Sequence, residues 1–174
     1  ELGERTFPAG IAEVVKRVIH TTADFDYADS LAFSPDVIEQ AKAALCSGAT
    51  IVTDTNMALS GISKPSLTKL GAKALCLMAD PDIAREAKER GVTRAVVSME
   101  HAARLDGPLI FAVGNAPTAL IRLHELIGRD EVKPALVIGV PVGFVNVVEA
   151  KELFIGGKTP YIIARGRKGG SNVA

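Results

Sequence analysis

The segment Arg17-Val-Ile-His-Thr-Thr-Ala-Asp-Phe-Asp-Tyr-Ala-Asp29 puts one imidazole beside two threonines and three carboxylates around two aromatics. That set of groups suits proton transfer. Leading into it, Ile11, Val14, Val15 and Val18 fall at i, i+3, i+4 and i+7, the spacing of one helical face. The pattern predicts a helix over 8–19, with Pro8 in its first turn and Thr21 and Thr22 ending it. At about 100° per residue, His20 then lies roughly opposite the apolar face, a poor place for a core histidine. A helix C-terminus favours an imidazolium, and Asp24 and Asp26 are close enough in sequence to add to that effect. His20 is therefore a candidate general acid, with a solvated histidine that happens to end a helix as the alternative. Asp24, Asp26 and Asp29 also admit two readings. They could be paired acid–base carboxylates, or loop-capping acids that order the turn and hold His20, and the second is favoured.

Other reactive groups are scattered. His101 sits among Glu100 and Arg104 and reads as surface, while His124 joins the Leu120, Leu123, Ile127 stripe as a packed or rim histidine. Without HxxxH or CxxC spacing, a metal site built by the protein is not expected. Cys46 and Cys76 fall in predicted helix and strand and read as buried free thiols of a reducing compartment. Ser60 and Ser171 lie in no G-x-S-x-G elbow, so a serine nucleophile is not supported. Gly139-Val-Pro-Val-Gly143 matches neither GxGxxG nor GxxxxGKS, which leaves a nucleotide site weakly supported. Glycines at several strand ends would still let backbone N–H groups approach an anionic ligand. Arg165-Gly-Arg-Lys168 is a dense basic patch suited to phosphate or a polycarboxylate. Nucleic acid fits it least, because 20 Lys and Arg balance 20 Asp and Glu and no aromatics interleave with the charges.

The elements that must position these groups alternate between strand and helix. Apolar runs at 49–53, 73–78, 108–113, 135–138 and 161–164 read as five strands. Between them, Ser34-Pro35-Asp36 reads as a cap opening one helix that carries Val37, Ile38, Ala41 and Leu45 inward. Pro81 opens a second, ending before Gly91. A helix over about 92–104, one after Gly114-Asn-Ala-Pro117 that carries Leu120, Leu123 and Ile127, and one after Gly139-Val-Pro-Val-Gly143 that runs to about Phe154 complete the pattern. The expected fold is α/β: a single doubly wound three-layer domain with a five-stranded parallel sheet, flavodoxin-like. An aliphatic composition, with 48 % hydrophobic but only 5 % aromatic residues, suits strands buried on both faces. In such sheets ligands bind outside the strands' carboxyl ends, here loops 53–61, 114–118, 139–145 and 165–171. No linker, repeat, membrane span or signal peptide interrupts residues 1–174, so one cytoplasmic domain is expected, extending further in the natural chain.

Six blocks in order carry a resemblance to a known family. They are Val18-Ile-His-Thr-Thr-Ala-Asp-Phe-Asp-Tyr-Ala28, Phe33-Ser-Pro35, Ile51-Val-Thr-Asp-Thr-Asn-Met57, Gly114-Asn-Ala-Pro-Thr118, Gly139-Val-Pro-Val-Gly-Phe144 and Arg165-Gly-Arg-Lys-Gly-Gly-Ser171. Over nearly its whole length the chain resembles precorrin-8X methylmutase and its cobalt-dependent counterpart, cobalt-precorrin-8 methylmutase. The resemblance implies a flavodoxin-like homodimer of cobalamin biosynthesis, with the site near the subunit interface. It implies an isomerase that moves a methyl group from C-11 to C-12 of the macrocycle by a 1,5-sigmatropic shift. No methyl donor is consumed, so no cofactor is implied, and any cobalt belongs to the substrate. His20 takes the place of the family's catalytic acid. Thr21, Thr22, Asn56, Asn115, Arg165 and Arg167 become donors to the substrate's carboxylates. Arg17, Met57, Gly114, Gly143 and Ser171 complete the implied substrate-binding set. Asp24-Phe-Asp-Tyr-Ala28 looks more like the cobalt-dependent branch, with both branches left open. Two other classes compete: a non-catalytic tetrapyrrole carrier, and a flavodoxin-like nucleotide binder.

Overall fold

The structure, a computed structural model, describes residues 2–174. One six-stranded sheet organises them, in the order β1-β6-β5-β4-β2-β3. The strands are β1 (Leu31–Phe33), β2 (Thr50–Thr53), β3 (Lys73–Leu75), β4 (Leu109–Val113), β5 (Leu136–Gly139) and β6 (Tyr161–Ala164). β2 through β6 run parallel, and β1 joins the β6 edge antiparallel, with Ala32 opposite Ile163. The expected sheet of five parallel strands is thus corrected to a mixed sheet of six. Leu31-Ala-Phe33 is too short to show a period of two. It becomes a strand only because the β6 edge offers it a ladder.

Helices cover both faces. α1 (Ile11–Thr22), α2 (Tyr27–Ser30) and α3 (Val37–Cys46) precede β2, and α4 (Asn56–Gly61) and α5 (Lys64–Leu70) join β2 to β3. α6 (Pro81–Arg90) and α7 (Arg94–Ala102) lead to β4, followed by α8 (Pro117–Gly128) and α9 (Val147–Glu152). Alternate residues of β4 separate the two cores. Leu109, Phe111 and Val113 pack with Met99, Leu120, Leu123 and Phe154 under α7, α8 and α9. Ile110 packs with Leu136, Ile162, Val37 and Ala44 under α3. Every residue of β4 is buried, as a central strand with two covered faces requires.

Several local expectations change. Ser34 does not cap α3; its hydroxyl is buried and accepts the Tyr161 amide at 2.9 Å, tying β1 to β6. Asp36, in the left-handed region, precedes the helix instead. α1 starts at Ile11, beyond Pro8, and runs on to Thr22, so His20 lies inside its last turn. Residues 54–61 are not all loop: Thr55 caps α4 by accepting the Ala58 amide. β3 stops at Leu75, before Cys76. Cys46 is exposed and Cys76 half-buried, so neither is a fully buried thiol. On α7 the expected stripe through Val92 and Val96 shifts, because α7 touches α6 as well as α8 and Val97 packs with Ile83 and Ala87. His124 is exposed and edge-on to Phe154 at 5.7 Å. His101 is half-buried and within 2.7 Å of Glu86.

Candidate active site

The strand order reverses between β2 and β4, since the chain leaves β2 for β3 on one side and reaches β4 on the other. A crevice is expected at that switch point, outside the carboxyl ends. Asp54 stands at that point. The residue directly follows β2, is 1 % exposed, and accepts the amides of Gly114, Asn115 and Ala116 at 2.8, 2.8 and 2.7 Å. These amides lead into α8, whose first residue is Pro117 and whose own cap position, Ala116, offers no side-chain acceptor. The carboxylate at the end of β2 therefore fixes the turn that leads into α8, at a helix N-terminus where the dipole also favours negative charge.

The 165–171 segment gathers the other strand ends. Thr55 donates its hydroxyl to Ser171 at 2.8 Å. A Cβ on Gly114 would come within 2.7 Å of the Ser171 Cα, so only glycine allows this approach. The Gly143 amide donates to the Arg167 carbonyl at 3.2 Å, and the Gly170 amide to the Val140 carbonyl at 2.8 Å. Gly114, Ser171 and the α4 start thus form one group, and Gly143 and Arg167 a second, bridged by residues 167–171. Asn56, Met57 and Asn115 are exposed beside the first group. Arg167 lies 5.8 Å over the ring of Phe144, which is 83 % exposed.

His20 is exposed and borders an open groove of about 400 Å³ with Leu2, Lys16, Ile19, Ala23 and Phe25. None of the other implied site residues lines that groove. Arg17 and Thr21 are exposed on the same helix, while Thr22 donates its hydroxyl to the Val18 carbonyl at 2.8 Å. The acids next to His20 do not hold it. Lys168 pairs with Asp24 at 2.6 Å and with Asp26 at 2.5 Å, and Arg5 pairs with Asp29 at 3.0 Å. The Lys168 ammonium holds the Asp24 carboxyl below the usual carboxylate range, and the pair raises the Lys168 amine in turn. The expected support of His20 by three carboxylates is therefore corrected: two of them dock the strand-end segment against the end of α1. Arg165 is likewise engaged, with both its Nε and Nη2 2.9 Å from Glu152.

Two residues escaped the sequence reading. Asp54 could not be paired from sequence, because its partners lie some sixty positions away. Lys151 was legible: Val147, Ala150 and Lys151 stand at i, i+3 and i+4 on one buried face of α9, so a lysine sits on the apolar stripe. Its side chain is fully buried, and burial pushes the amine down to about 8. Among the described residues, no group of three or more His, Cys, Asp or Glu is placed to hold a metal, and no helix is long and apolar enough to cross a membrane.

Comparison with known proteins decides what this arrangement belongs to. The family model described as Precorrin-8X methylmutase matches residues 1–174. The chain belongs to that family. Its members are isomerases of cobalamin biosynthesis, and the chain is an enzyme of that kind. The cobalt-precorrin-8 methylmutase of Salmonella typhimurium is 48 % identical over 162 residues, covering 92 % of this chain and 75 % of that protein. That of Leptospira interrogans is 41 % identical over 182 residues, covering 100 % and 83 %. A crystal structure of the precorrin-8X methyl mutase of Thermus thermophilus matches with a TM-score of 0.89 at 38 % identity, covering 99 % of this chain and 84 % of that one.

Proposed function

We propose that the chain moves a methyl group from C-11 to C-12 of precorrin-8 or its cobalt form, with His20 as proton donor. The observation that carries this reading is the placement of His20: it is exposed in the last turn of α1, and the turn that follows is docked through Asp24 and Asp26 onto Lys168 of the strand-end segment. Protonation of the macrocycle makes the carbon bearing the methyl electron-poor and lowers the barrier to a 1,5-sigmatropic shift. The same imidazole can take a proton back after migration. Such help is worth roughly 10²–10⁴-fold, and the remainder comes from holding the ring in its reactive conformation.

The side chains divide by availability. Arg17, Thr21, Asn56, Asn115 and Arg167 are exposed donors for the substrate's carboxylates, with Ser171 half-buried beside them. Gly114 and Gly143 act through the fold, Gly114 by admitting the Ser171 backbone and Gly143 by bonding the Arg167 carbonyl, while Met57 and Phe144 supply apolar surface for the ring faces. Thr22 and Arg165 contribute less, because the Val18 carbonyl and Glu152 already occupy them. The reaction needs no resident cofactor, and cobalt enters only as part of the substrate. The names of the Salmonella and Leptospira relatives favour the cobalt form. The strand order β3-β2-β4-β5-β6 supports a flavodoxin-like description of the parallel strands, within one domain spanning residues 1–174. Exposure of Phe144, Val145 and Met57 at 83, 78 and 68 % supports a homodimer with the site near the interface, in a cytoplasmic enzyme. Incubation with each substrate form and no methyl donor tests the reading. A change in the visible spectrum is expected, and no change with either form rejects it.

A further inference from the structure

We infer that Lys151 and Lys168 are positioning residues of the reaction, which fix the Arg167 segment and the His20 end of α1 in one frame. The inference rests on the reading of His20 as proton donor. Lys151 is the starting point. An amine buried this completely is disfavoured unless hydrogen-bonded, and an aliphatic residue would fill the same place on α9 without that cost. The ammonium is directed at two acceptors, the carbonyls of Gly166 and Lys168, each at 2.8 Å. Those carbonyls flank Arg167, whose own carbonyl accepts the Gly143 amide. Three successive carbonyls are therefore held from the α9 and β5 sides. The Arg167 guanidinium, by contrast, has no carboxylate partner among the described residues. A rigid backbone with a free cationic side chain is what recognition of a substrate carboxylate requires.

Lys168 carries the frame across to the acid. Its carbonyl is held by Lys151 while its amine bridges Asp24 and Asp26. From there the bonds continue: the Asp26 amide donates to Asp24, the Asp24 amide to the Thr22 hydroxyl, and that hydroxyl to the Val18 carbonyl. The chain of contacts thus enters the last turn of α1, in which His20 lies. Lys168 and Asp26 are largely exposed, at 49 and 74 % of their side chains, so the bridge contributes little to stability. Its effect is on geometry, where a displacement of about 1 Å costs about 10²-fold in rate.

The test uses the full enzyme with its cobalt-containing and metal-free substrates. Lys168→Met is expected to keep its melting temperature and to bind substrate within about threefold, since the amine is already committed to two carboxylates. Its kcat is expected to fall about ten- to a hundredfold. Lys168→Arg, which keeps the bridge, restores most of that loss. Asp24→Asn with Asp26→Asn gives the same fall, and combining it with Lys168→Met does not multiply the two losses. Lys151→Met is expected to raise KM through Arg167 and lower kcat; if it does not fold, the Lys168 series still decides. An unchanged kcat in folded Lys168→Met, or losses that multiply, overturns the inference. His20→Ala in the same series separates the two claims. If it is inactive while Lys168→Met is normal, only the positioning role fails. If His20→Ala turns over normally, the proton-donor reading fails and this inference with it.

Discussion

Replacing Asp54 with asparagine isolates the contact that ties the end of β2 to the turn after β4. The carboxylate divides its two oxygens: Oδ1 accepts the Gly114 amide, and Oδ2 accepts those of Asn115 and Ala116. An asparagine fills the same volume but has one acceptor oxygen and an NH2 group. With that oxygen kept toward Asn115 and Ala116, the NH2 faces the Gly114 amide donor to donor. Gly114 is buried, so water cannot readily replace the lost bond, and the unsatisfied amide costs about 1–3 kcal/mol. The two surviving bonds become neutral and weaken by about 1 kcal/mol each. A neutral amide is easier to bury than a carboxylate, which offsets part of this. A net loss of about 2–4 kcal/mol is expected, or about 5–15 °C in melting temperature for a domain of this size. Urea denaturation at neutral pH measures it, and kcat/KM should fall as well, because Asn115 moves with its loop. A loss below about 0.5 kcal/mol at unchanged m-value would refute the reasoning, since that is the scale of an ordinary surface change.

Arg167→Ala should raise the substrate dissociation constant more than Arg165→Ala does, because Glu152 already engages Arg165; equal effects, read by absorbance titration, would count against this. Gly114→Ala should lower both melting temperature and turnover, because its Cβ would come within 2.7–2.9 Å of the 170–171 backbone, which cannot yield like a flexible side chain. Glu100, buried between Arg90 and Arg122, has its carboxyl held low chiefly by the hydrogen bond from Arg90. The folded state therefore binds fewer protons there than the unfolded state, and the contribution is present above the ordinary value of 4.5 and lost as pH falls through the lowered one. The stability gap between the wild type and Glu100→Gln should accordingly narrow as denaturation is measured at pH values falling from 4.5, and a gap independent of pH would contradict the assignment.

Much of this molecule is readable from side-chain periodicity, and the places where reading fails have physical causes. Val15 and Val18 against an exposed His20 follow directly from helical phase, as do the buried parallel strands from aliphatic runs. Leu31-Ala-Phe33 fails because a strand this short is defined by its neighbour's hydrogen bonds and carries no period of its own. Ser34 fails because a serine before proline suits a cap in isolation, whereas here its hydroxyl meets the Tyr161 amide across the sheet. The acids after His20 mislead for a related reason. Proximity in sequence suggested a partner one turn away, and the actual partner, Lys168, lies more than 140 residues downstream. In the site, residues fixed by the local chain could be found, and those fixed by a distant partner, Asp54 above all, could not.

The central claim is that His20 supplies the proton for the methyl shift, and single-turnover kinetics of His20→Ala test it most directly. The variant removes an exposed side chain that makes no core contact, so the fold and coloured substrate binding should persist. The account predicts a bound complex whose spectrum stays that of the substrate, with conversion slowed by about 10²-fold or more. Conversion at the wild-type rate by a folded, substrate-saturated His20→Ala enzyme would contradict it.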